Sequence, residues 1–122
     1  MKTAIQKGDS ITYTNGGTAI SSGDPVVIGN CVGVASVDIA NGATGEVAIA
    51  NVYTLPKVSA AVIGQGETVY FDISAGADGE VDDNAATAAT GDITDFGIAM
   101  ETTGAGVLFV DVLLLAGNGA VT

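Results

Sequence analysis

The sequence predicts an all-β protein: a small sandwich or barrel of about seven to nine short strands with little helix. Three observations lead there. Apolar residues come in short alternating or continuous pieces, punctuated by Gly, Asn and Asp at a pitch of roughly ten residues. Helix signals are almost missing, while the chain carries 18 Gly and only 2 Pro. It is also 48% hydrophobic and 14% charged, too apolar and too weakly charged for disorder. At 122 residues it is sized for one domain, residues 1–122, whose core needs no disulfide or metal.

Taken in order, residues 1–9 read as an N-terminal arm. Ser10 to Thr14 alternates polar and apolar, then stops at the turn-former Asn15-Gly16-Gly17. Val26 to Ile28 and Cys31 to Val34 flank Gly29-Asn30, a hairpin signal because Gly supplies the positive φ of a tight turn. Glu46 to Ala50 and Val52 to Leu55 are extended, with Asn51 between them. Thr68 to Ile73, Phe96 to Met100 and Gly106 to Leu115 are the remaining strands. Pro56 to Ile63 fits either one or two helical turns stopped by Gly64 or an irregular crossover. Residues 74–95 turn to Ala, Gly, Thr, Asp and Asn, and read as a long acidic loop, mobile and tolerant of deletion. Gly23-Asp24-Pro25-Val26 with Gly33-Val34-Ala35 is echoed by Gly66-Glu67-Thr68-Val69 with Gly97-Ile98-Ala99. Such Gly-acid turns are common enough for the echo to be read as chance.

Charge excludes more than any motif admits. Three Lys, no Arg and no His stand against 14 Asp plus Glu, for a net charge of −11. That leaves no basic footprint for nucleic acid and none for an anionic membrane. Without His, the commonest general base and zinc ligand is missing. Cys31 is alone in an apolar stretch, which reads as a small buried hydrophobe rather than a nucleophile. No Gly-x-x-x-x-Gly-Lys-Ser/Thr string cradles a phosphate. The acids between Asp72 and Asp95 lack the spacing of a calcium loop, and Lys57 with Ser59 is the kind of pair that chance supplies. No catalytic residue, metal ligand or cofactor is therefore expected. Two Lys without an apolar run behind them make no secretory signal, and Val107 to Leu115 is short for a membrane helix. The expectation is a soluble protein made in the cytoplasm.

Asp111 is the odd residue of that last strand. Leu108, Val110, Val112 and Leu114 share one face; Val107, Phe109, Leu113 and Leu115 share the other, around the acid. A strand apolar on both faces is central to a two-layer core or buried again against another subunit, so an oligomer is expected to bury part of Val107 to Leu115. Asp111 then lies at a bulge or sheet edge, or takes part in an interface.

The order of these pieces resembles a family of small phage capsid cement (decoration) proteins. The likeness is carried by Ile5-Gln6-Lys7-Gly8-Asp9, Ile11-Thr12-Tyr13, Ser22 to Gly29, Gly33-Val34-Ala35, Val52 to Lys57, Gly66 to Asp72, Gly97-Ile98-Ala99 and Val107 to Leu114. It spans nearly the whole chain. Asn51 stands where Gly is usual, Glu67 where Asp is frequent, and Phe71 where Trp often follows the Tyr. The resemblance implies a β-barrel or jelly-roll-like domain that binds the outside of an assembled head as a symmetric oligomer, dimer or trimer. Its partner is the lattice of major capsid protein, and its place is the exterior of the virion. Some members carry a recombinase label of the RecA/RadA kind, for which this chain has neither P-loop nor basic surface. On this reading Lys2, Lys7 and Lys57 are candidates for charged contacts with the shell, and Phe109, Asp111, Leu113 and Leu115 for the partner interface. A bacterial cell-surface β-module binding carbohydrate or another subunit is the alternative. It predicts a signal peptide and Trp platforms that this sequence lacks.

Overall fold

A computed structural model describes residues 8–122, and every regular element in them is a β-strand. β1 (Ser10–Thr14), β2 (Pro25–Ile28), β3 (Cys31–Ala35) and β4 (Thr44–Ala48) form an antiparallel sheet in the order β1-β4-β3-β2. β5 (Val52–Pro56), β6 (Thr68–Asp72), β7 (Glu80–Asp82), β8 (Ile93–Ala99) and β9 (Phe109–Leu114) form a second, in the order β5-β9-β8-β6-β7. β10 (Ala120–Val121) pairs with the start of β8. Of the two all-β alternatives, the sandwich is the one that forms. The larger sheet curls until its outer strands touch at a single parallel bridge, Lys57 with Val81, but no ladder closes it.

Local signals place the turns. Gly29 takes φ 58° between β2 and β3, as the hairpin requires. Asn51 takes φ 78° where the chain leaves the first sheet for the second, a conformation Asn tolerates better than most residues. Asn15, buried at the end of β1, accepts from Gly17 N–H and donates to the Thr18 and Ile39 carbonyls. The two prolines both fall on edge strands, β2 and β5, where a missing N–H costs least.

The two sheets repeat one plan. β1, β2, β3 and β4 correspond to β5, β6, β8 and β9, with β7 added after β6. Gly23 N–H donates to Ala35 O and Gly66 N–H to Ala99 O; Ala35 donates back to Asp24 and Ala99 to Glu67. The bridge Ile20–Ile39 matches Ile63–Thr103. Gly33 lies against Val47 and Gly97 against Val112, each too close for a Cβ. Thr12 donates to Glu46 as Thr54 does to Asp111. The sequence echo is thus structural and not chance: the chain is a tandem pair of four-stranded units.

Each unit curls over its own apolar cluster. Val26, Ala35, Ile39 and Val47 anchor the first, with Ile11, Tyr13 and Ile20 packed on it. Leu55, Val69, Phe71, Val110 and Val112 anchor the second. Val32 and Val34 point from β3 into that second cluster, beside Ile93 and Phe96 of β8, and so join the sheets. Phe71 and Phe96 meet edge to face at 5.7 Å.

Three expectations change. Residues 74–95 are not one loop: β7 pairs with β6, Val81 is fully buried, and β8 starts at Ile93. A lone Val among acids carries no periodic signal, so β7 is visible only through its partner. The start of β8 is hidden by a bulge, where the register to β6 shifts and Asp95 takes φ 55°. Pro56 to Ile63 resolves as the irregular crossover, because Val58 N–H donates to Val81 O rather than into a helix. With β7 and β10 the strands among the described residues number ten.

Val81→Ala should lower unfolding free energy by about 2 kcal/mol in urea melts, the usual cost of truncating a fully buried aliphatic side chain. Deleting residues 75–92 should abolish cooperative unfolding; a variant that folds normally would place β7 outside the core.

Candidate functional site

Among the described residues there is no pocket, and no group of three or more His, Cys, Asp or Glu is arranged to hold a metal ion. No helix is long and apolar enough to cross a membrane. The sheet faces are therefore where a working surface is to be sought.

β9 has the two-faced character its sequence predicts. Val110, Val112 and Leu114 are buried, while Phe109, Asp111 and Leu113 point outward. On neighbouring β5, Val52 lies opposite Leu113, Thr54 opposite Asp111 and Pro56 opposite Phe109. Across β8, Ile98 lies opposite Leu113. The outcome is an outer face of Val52, Pro56, Phe109, Leu113 and Ile98 around one carboxylate. Val52 is 44% exposed and Phe109 55%. Just before β9, Val107 and Leu108 are exposed as well. Leu115 lies past the end of β9, half-buried, its N–H donating to Phe96 O.

Asp111 occupies neither a bulge nor an edge. β9 runs between β5 and β8 in regular register, and the Thr54 hydroxyl donates to Asp111 Oδ1. The acid is a repeated feature of the fold, since Glu46 takes the same bond from Thr12. Val52 and Thr54 were not singled out from the sequence; their place opposite β9 is a fact of pairing.

Lys57 must be withdrawn as a surface contact. It is 1% exposed, and its ammonium donates to the carbonyls of Ala61 (2.6 Å), Val58 (2.8 Å) and Ser59 (3.4 Å). It follows β5 as Asn15 follows β1, and both buried side chains satisfy carbonyls of the turn that comes next. The flanking Leu55-Pro56 and Val58 were the available sign of burial. Lys2 and Lys7 lie outside the described residues. Over residues 8–122, then, every exposed charged side chain is an acid.

Three acids gather on β6 and β7, where Asp72 and Glu80 face each other and Asp82 stands opposite Tyr70. Burial pushes the Asp82 carboxyl up, with the charges of Asp83 and Asp72 adding to it; the Asp83 N–H and the Lys57 charge oppose the rise. Cys31 is half-buried, donates to Ile28 O at 3.1 Å, and burial pushes its thiol up, which suits packing rather than reactivity.

A family model for phage cement protein matches residues 5–114. No curated protein and no solved structure matches the chain.

Lys57→Met keeps the buried stem and removes the ammonium, leaving Ala61 O without its donor while Val58 O and Ser59 O keep the bonds from Ala61 N–H and Gly106 N–H. A loss of about 2 kcal/mol is expected in denaturant melts; no measurable loss would mean that another donor meets the Ala61 carbonyl. Asp82→Asn retains the acceptor for Asp83 N–H and removes a charge whose folded-state pKa is raised. Such a group destabilises the fold above its folded pKa and ceases to as pH falls through that value. Asp82→Asn should therefore melt higher than the parent at pH 7, and the gap should vanish below the ordinary carboxylate range. A gap that widens in acid would reverse the assignment.

Proposed function

The chain belongs to the phage cement protein family, and from that premise we propose that it binds the outer surface of an assembled head and stabilises it. Membership carries a structural role associated with the capsid and a place in the virion. The finer reading is of a structural protein, not an enzyme, attached to the lattice of major capsid protein from outside as a homodimer or homotrimer. The observation that carries it is the family match over residues 5–114.

The physical chemistry agrees with that reading. A DNA-filled shell is pushed outward, and a protein bridging neighbouring subunits adds contacts that must break before the shell opens. Modest contacts suffice, because second and third attachments of an oligomer are effectively intramolecular. Binding the assembled lattice in preference to free subunits stabilises it by mass action. A net charge of −11 suits a protein in solvent outside the shell and unsuited to contact with packaged DNA. Lys2 and Lys7 stay as candidates for charged contacts of the arm with the shell.

Heating heads with and without this protein, and recording DNA release, tests the reading. Release should come at a lower temperature in its absence, and at an intermediate one when Lys2→Glu and Lys7→Glu are combined. Heads equally durable without it would leave the protein an ornament and not a cement.

A further inference from the structure

We propose that the outer face of β5 and β9 is the surface that meets the shell, and that its partner is an apolar patch bearing one basic side chain set against Asp111. The inference rests on the capsid-binding reading above. The tandem units supply its internal control. In the first, the frame positions around the Thr12–Glu46 bond hold Ser10, Thr14 and Thr44. In the second, the same positions around Thr54–Asp111 hold Val52, Pro56 and Phe109. Pairing and register are shared, so the fold itself does not require apolar residues there. Thr14 and Thr44 are exposed, and so are Val52 and Phe109. Large apolar side chains held in water, where their structural counterparts are Ser and Thr, mark a surface that is covered in use.

Charge decides what covers it. Asp111 sits amid the patch, and covering it without a counter-charge leaves a desolvated carboxylate. A second copy packed face to face would set one Asp111 against another, at −11 per chain, and residues 8–122 offer no exposed cation to answer it. A Lys or Arg of the shell would answer it. The Thr54 hydroxyl holds Oδ1 in place, which leaves Oδ2 positioned to accept a charge-assisted hydrogen bond.

The test transplants the first unit's residues onto the second. Val52→Ser, Phe109→Thr and Leu113→Ala together place on β5 and β9 what β1 and β4 already carry, so the frame has a precedent for them. Binding is measured by co-sedimentation with assembled heads prepared without this protein, alongside mass by light scattering. The triple variant should bind at least about tenfold more weakly than the parent, as loss of a central apolar anchor does. Its melting and mass should be unchanged. Asp111→Asn, which keeps the acceptor for Thr54, should weaken binding about fivefold, and most at low salt, as expected for a lost charge pair. Glu46→Gln on the first unit should leave binding unaltered. Parent and triple variant binding heads equally would overturn the inference and leave the cement reading standing. A triple variant with altered oligomeric mass would assign the face to contact between copies, and also overturn it. A parent that does not bind heads would overturn both. Should the triple variant fail to fold, Asp111→Asn alone decides, since it changes neither volume nor the hydrogen bond.

Discussion

A buried ammonium governs the shape of the larger sheet. Lys57 follows β5 at the point where that strand reaches β7, and its three carbonyl bonds hold the crossover in a tight irregular turn. A cation taken out of water is costly unless several acceptors replace its hydration. The carbonyls of Val58, Ser59 and Ala61 do so only if the chain bends as it does. That bend carries Val58 N–H to Val81 O and draws the sheet's outer strands together over Leu55, Phe71 and Val81. It also removes one of three cations from the surface, which leaves acids as the only exposed charged side chains of residues 8–122.

The same frame built twice shows which features belong to folding. Gly33 and Gly97 permit a close approach of neighbouring strands, and no side chain would fit at either. A Thr–acid hydrogen bond lies across the outer face of both units. Asn15 and Lys57 satisfy turn carbonyls by different chemistry at one position. Where Ile39 fills the first unit, Thr103 stands in the second, with a buried hydroxyl that finds no partner among the described residues. Shared features answer the demands of the backbone; those that differ are free to serve something else.

Division of labour within the second sheet follows from this. Its inner face is the core, and its outer face changes from apolar at β5 and β9 to acidic at β6 and β7. Burial raises the Asp82 carboxyl, and repulsion from Asp83 and Asp72 adds to the rise. The apolar half has no such deterrent to contact. A capsid-associated protein needs one surface that adheres and others that stay solvated, and on the proposed reading the two are strands of a single sheet.

The all-β class, the hairpin at Gly29-Asn30 and the two faces of β9 were legible in the sequence, because alternation and turn chemistry are local. So was the family, since the order of short motifs survives without any coordinates. β7 was not legible: a three-residue strand with one apolar residue has no period of its own, and only pairing with β6 makes it a strand. The fate of Lys57 was hidden for a like reason, because charge predicts exposure unless distant backbone carbonyls converge on the cation. The repeat lay between these cases. Its Gly-acid signature was visible, but such turns are frequent, and only matched hydrogen bonds and bridges across both sheets separate duplication from coincidence. Local chemistry specified the pieces, while long-range pairing decided which were equivalent, which were buried and which face remained open.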